Sequence, residues 1–166
     1  MTKRNERQEK KLERNKNKIL FVVCGLPGTG KSFVAKLITK RTNSLLLNTD
    51  VIRKRLFKKP TYSEMEKEKV YDVLFQLAEN ALKGSKCVVL DGTFYKKSLR
   101  ERAKTLAKKL GSKFVLIEVV CDEGIVKQRL EKRAKEKSVS DADFCVYKKI
   151  KEQFEVINEK HFMIDT

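Results

Sequence analysis

Eight consecutive residues, Gly25-Leu26-Pro27-Gly28-Thr29-Gly30-Lys31-Ser32, fit the spacing G-x-x-x-x-G-K-[ST] without a mismatch. The chemistry of that spacing is anion binding. Glycines let a polyanion approach bare backbone, and successive N–H groups form a nest backed by the positive end of the next helix. Lys31 adds a point charge for the β- and γ-phosphates of a nucleotide, and the Ser32 hydroxyl a ligand for Mg²⁺. Gly25, Pro27, Gly28, Thr29, Gly30, Lys31, Ser32 and the adjacent Phe33 are the candidate ATP contacts. The flanks agree. Ile19 to Cys24 is an apolar run of strand length, and Phe33, Val34, Leu37 and Ile38 recur at helical spacing.

Two acids and three arginines could act on a phosphate held there. Val88-Val89-Leu90-Asp91 is an apolar run ending in a carboxylate, which can hold Mg²⁺ opposite Ser32 or cap the turn after the strand. Asp50 follows the apolar run Leu45-Leu46-Leu47 and could take the proton of an incoming hydroxyl, or serve as a helix N-cap. Arg53, three residues on, shares its helix face and could orient Asp50 or grip the acceptor. Arg129 and Arg133, four apart, lead into the charged stretch 133–139, which reads as a flap. Their guanidiniums suit the charge of a transferring phosphoryl group, and a solvated basic face would look alike.

These groups need elements to carry them. Strands are expected over 19–24, 45–48, 86–91, 114–120 and 161–165. Helices are expected over 31–41, after Asp50, and over 64–83, 96–110, 122–133 and 141–158. The 64–83 helix carries a stripe of Val70, Val73/Leu74, Leu77/Ala78 and Ala81 and stops at Gly84, while Ser140-x-x-Asp143 starts the last helix. Strands alternating with helices imply an α/β fold with a parallel sheet covered on both faces. In such sheets ligands bind beyond the carboxyl ends of the strands, so the loop at 25–32, Thr49-Asp50 and Asp91-Gly92-Thr93 should converge.

Composition sets limits. The chain has 166 residues, 40% hydrophobic and 37% charged, and a net charge of +17. That field draws polyanions without choosing among them. Residues 1–18 hold eight Lys/Arg and three Glu and are read as a basic flexible tail, leaving 19–166 as the folded domain. No apolar run reaches membrane-spanning length, and the expected address is the cytoplasm. Cys24, Cys87, Cys121 and Cys145 form no C-x-x-C pair and are read as apolar filler; lone His161 is read as structural or exposed.

Taken together, these residues resemble the small P-loop kinases related to polynucleotide kinase, zeta-toxin-type and chloramphenicol phosphotransferase-type enzymes. Leu47-Asn48-Thr49-Asp50-Val51-Ile52-Arg53-Lys54 is similar to the group's Asp-x-x-Arg segment, which implies Asp50 as general base and Arg53 beside it. The group's lid arginines correspond to Arg129 and Arg133. Leu90-Asp91-Gly92-Thr93-Phe94 and Ser140-Asp141-Ala142-Asp143 look closer to a branch of ATP-binding kinases found alone or behind an aminoglycoside-phosphotransferase-like domain. Where the polynucleotide kinase branch has Asp-Thr-Asn, this chain has Asp91-Gly92-Thr93. No NKxD guanine motif is present, which disfavours a GTPase. The resemblance implies a P-loop NTPase fold, with a five-stranded parallel sheet and a helical lid, using ATP and Mg²⁺. It implies transfer of the γ-phosphate to a hydroxyl of RNA, DNA or a nucleoside, or of a sugar, polyol or antibiotic. An ATP-binding regulatory module with slow hydrolysis is the rival.

Overall fold

The computed structural model describes residues 18–135 and 142–166. The tail expected over 1–18 lies outside them except for Lys18, which is buried and donates from Nζ to the Leu110 carbonyl at 3.1 Å. Five strands, β1 (Ile19–Cys24), β2 (Leu45–Asn48), β3 (Val88–Asp91), β4 (Lys113–Val120) and β5 (Phe162–Asp165), form one sheet in the order β2-β3-β1-β4-β5. Every neighbouring pair is parallel. Six helices connect the described residues: α1 (Lys31–Thr42), α2 (Thr49–Leu56), α3 (Glu64–Lys83), α4 (Lys97–Lys109), α5 (Glu123–Ala134) and α6 (Phe144–Gln153). None is long and apolar enough to cross a membrane.

Strand alternation sorts the core into two layers. Leu20, Val22, Val88, Leu90 and Leu116 meet α3 and α4 on one face. Val23, Val89, Ile117 and Val119 meet Val34 and Ala35 of α1 on the other. Cys24 is filler as expected. It is fully buried, burial pushes its thiol up to about 12, and Sγ donates to the Ile117 carbonyl at 3.4 Å. His161 is structural, with Nε2 3.2 Å from Glu118 Oε2.

Two elements depart from the sequence expectation. The buried face of α3 is Val70, Tyr71, Leu74, Phe75, Ala78 and Leu82, whereas Leu77 is 41% exposed. The stripe is rotated because Tyr71 and Phe75 pack edge-on against Phe94. The last helix is shorter than 141–158: Asp143 accepts from the Val146 N–H as its N-cap, and the helix ends at Gln153. Ser140 and Asp141 lie outside the described residues. Beyond Gln153 the carbonyls of Glu155 and Val156 accept from Arg100 Nη2, at 3.0 and 3.2 Å, and the chain runs on without helical structure until β5.

Candidate active site

The carboxyl ends of β1, β2 and β3 are locked together. The β3 carboxylate, Asp91, pairs in register with Val23 of β1 and Asn48 of β2. The Gly25 N–H donates to the Thr93 carbonyl and the Gly92 N–H to the Val23 carbonyl, both at 3.3 Å. Two glycines follow from crowding. A Cβ on Gly25 (φ 136°) would lie 2.3 Å from the Val119 carbonyl oxygen, and one on Gly92 would lie 2.8 Å from Thr49 Cγ2. Gly92 leaves room for the Thr49 side chain at that turn.

The loop is shaped for an anion. Side chains cap α2, α3, α5 and α6 through Asn48, Ser63, Asp122 and Asp143. Helix α1 instead starts at Gly30 in the left-handed region, with no side-chain cap and no acid in its first turn. Its N–H groups and positive dipole end therefore face the loop with no side-chain cap among the described residues. Lys31 is half-buried, with Nζ donating to the Leu26 carbonyl at 2.7 Å. Burial pushes its pKa down, and the Asp91 and Asp50 carboxylates pull it back. Thr29 is buried, its hydroxyl on the Leu26 carbonyl and its own carbonyl on the Thr166 hydroxyl.

A cleft of about 580 Å³ opens over this loop. Of the candidate residues, Pro27, Gly28, Gly30, Lys31, Ser32, Phe33, Asp50, Arg53, Asp91, Arg129 and Arg133 line it. Gly25 and Thr29 stand behind the loop as its support. Asp91 is 1% exposed and accepts from Asn48 Nδ2 at 2.6 Å. Asn48 also takes the capping role considered for Asp50, its Oδ1 accepting the Val51 N–H at 2.9 Å. Asp50 lies in the first turn of α2, half-buried on the cleft wall.

Arg53 has a partner that the Asp-x-x-Arg segment does not contain. Its guanidinium, 7% exposed, pairs with Glu66 of α3, Nη1 to Oε1 at 2.7 Å, and lies over the Tyr62 ring at 4.6 Å. Burial pushes the Glu66 carboxyl up, but hydrogen bonds from Arg53 and from Thr61 outweigh it and hold the group below the usual range. Arg53 Nε is buried without a partner among the described residues. On α5, Arg129 donates to the Thr166 hydroxyl at 2.9 Å and Arg133 to the Ala142 carbonyl, also at 2.9 Å. The rest of the expected flap, 136–139, lies outside the described residues.

Sequence reasoning missed four contributors. Asn48 carried a signal, an Asn just before a helix. So did Glu66, at the fourth place of Ser63-x-x-Glu66, a capping-box spacing. Tyr71 did not: its buried hydroxyl, pushed up to about 12 by burial, accepts the Phe94 N–H at 3.0 Å. This fixes Phe94 at φ 45° in the Thr93-Phe94-Tyr95 turn. Nor did α6, whose Val146, Lys149, Ile150 and Gln153 line the cleft.

The family model described as AAA domain matches residues 20–157. The chain belongs to the AAA domain family. A comparison of this AAA domain with curated proteins gave no significant match. Among solved structures it is similar to Kti12 from Chaetomium thermophilum in complex with ADP-AlF3 (TM-score 0.70, 17% identity, 88% of each chain covered). It is likewise similar to the Mycobacterium tuberculosis APS kinase CysC in complex with AMPPNP and APS (TM-score 0.67, 17% identity, 90% of this chain and 88% of that). A chain of the Pnkp1/Rnl/Hen1 RNA repair complex matches with a TM-score of 0.68 at 21% identity, over 83% of this chain and 44% of that chain. At these identities the likeness establishes the fold, the P-loop kinase-like α/β architecture that the motifs implied.

Proposed function

We propose that this chain is an ATP-dependent phosphotransferase that moves the γ-phosphate to an acceptor hydroxyl. The observation that carries the reading is convergence: Lys31, Ser32 and Asp91 share one cleft with Asp50, Arg129 and Arg133. The uncapped start of α1 fits a polyphosphate. The nucleotide analogues named in the Kti12 and APS kinase structures support ATP as the ligand. Among the described residues no cluster of three His, Cys, Asp or Glu could hold a metal. The donor set of Ser32 and Asp91 fits Mg²⁺, which keeps several waters and is held by one or two protein groups plus phosphates. When bound, that ion would neutralise charge on the β- and γ-oxygens.

In this reading the main chain of 25–32 and Lys31 hold the triphosphate; Asp50 accepts the hydroxyl proton as the acceptor oxygen bonds the γ-phosphorus, and the bond from that phosphorus to the β–γ bridging oxygen breaks, ADP leaving with the electron pair. Arg129 and Arg133 neutralise the transferring group once released from Thr166 and Ala142. Arg53, neutralised by Glu66, shapes the acceptor side. Positioning and charge stabilisation supply most of the rate. The test is transfer of labelled γ-phosphate to oligonucleotides, nucleosides and sugars. Labelled product on one acceptor class is expected; release of inorganic phosphate alone, unchanged by every acceptor, would leave an ATPase module.

A further inference from the structure

The cleft has a second wall that the motifs do not reach. Val146, Lys149, Ile150 and Gln153 recur at i, i+3, i+4 and i+7, and all four line the cleft from one face of α6. An adjoining face carries buried Tyr147, stacked on Phe144. The helix runs between the two halves of the site. At its start Ala142 accepts from Arg133, and just past its end the Glu155 N–H donates to the Tyr95 carbonyl at 2.9 Å. Arg100, 1% exposed, fixes that end, bonding the carbonyls of Phe94, Tyr95, Glu155 and Val156 and the Glu159 carboxylate.

The cations on the acceptor side differ in how they are matched. Arg53 is paired with Glu66, and Lys67 and Lys96 both with Glu64. On α6 itself, Lys151 is paired with Glu123 and Lys148 lies over the Phe144 ring. Lys149 is exposed on the cleft face and has no acidic partner among the described residues. A nucleic-acid strand needs a run of unmatched cations to follow its phosphates. Among the described residues this wall offers one, Lys149.

Resting on the phosphotransferase reading, we propose that Lys149 binds the acceptor through a single anionic group, so that the substrate class is a small hydroxylated anion. Val146 and Ile150 flank the apolar part of that molecule, and Gln153 donates to it beside Tyr95. A phosphate and a carboxylate satisfy the same ammonium, and the probes separate them.

The test uses the full chain saturated with Mg²⁺ and AMPPNP, titrated calorimetrically with matched pairs: gluconate and glucose, glycerate and glycerol, guanosine 3′-monophosphate and guanosine. Binding of an anionic member over its neutral partner is expected. Lys149→Glu should weaken it about 10- to 100-fold, with Lys149→Arg restoring most of it. AMPPNP affinity should stay within about twofold, since the side chain is assigned to the other substrate. Equal binding of neutral partners, no binding by any anion, or anion binding insensitive to Lys149→Glu would overturn the proposal. So would an oligonucleotide binding more tightly than every small probe. An anion that binds through Lys149 yet accepts no label from ATP would sink the phosphotransferase reading and leave the subsite standing.

Discussion

Arg53 and Glu66 show how a site side chain is held by a partner the motif does not contain. Both are more than nine-tenths buried, and the Glu66 carboxylate also takes the Thr61 N–H at 2.7 Å and the Thr61 hydroxyl at 3.0 Å. Removing one member of a buried pair strands the other charge, at about 3–5 kcal/mol. Glu66→Ala should lower unfolding stability by that amount in urea titrations, and Glu66→Gln by less, because the amide oxygen can still accept from Arg53. A loss below 1 kcal/mol for Glu66→Ala would mean that water reaches the guanidinium. At this scale, legibility followed the kind of contact. The positions of Lys31 and Ser32 on the loop and of Asp91 at the end of β3 could be read because local patterns set them. The Arg53–Glu66 pair spans thirteen residues and two helices, a contact that no local pattern encodes.

The elements were readable wherever local chemistry sets them. Gly84 ends α3 as expected, and the strands and helices up to α5 lie close to their expected bounds. They were not readable where a distant side chain intervenes. The end of α6 at Gln153 goes with the buried Arg100 guanidinium claiming the carbonyls that follow, and the rotated face of α3 with the Tyr71–Phe94 contact. The phosphate loop is an element in its own right, pressed against β4. Gly25→Ala must place a Cβ 2.3 Å from the Val119 carbonyl at φ 136°, so loop or strand has to shift. It should cost about 2–3 kcal/mol in chemical denaturation and weaken ATP binding. Gly111→Ala, at φ 64° with nothing within 4 Å, carries only the left-handed penalty of about 1–2 kcal/mol. Equal losses at the two positions would show that crowding at Gly25 is relieved without strain.

Across the whole molecule, strand order explains why distant motifs meet. With β1 between β3 and β4 and with β2 beside β3, the loop at 25–30, Asp50 and Asp91 are carried to one edge of the sheet, which a parallel arrangement demands. The +17 charge was legible as a number but not as a surface. Glu64 holds Lys67 and Lys96, and Glu79 holds Lys83 and Lys109, so some cations are matched and others stand open to the cleft. The sharpest test concerns the carboxylate on α2. With an acceptor from the labelled panel in hand, the Mg·ATP dissociation constant and the single-turnover transfer rate are measured side by side for the natural chain and for Asp50→Asn. Nucleotide affinity is expected to stay within a few-fold and the transfer rate of Asp50→Asn to fall by about 10²–10⁴. An unchanged rate at unchanged affinity would contradict this.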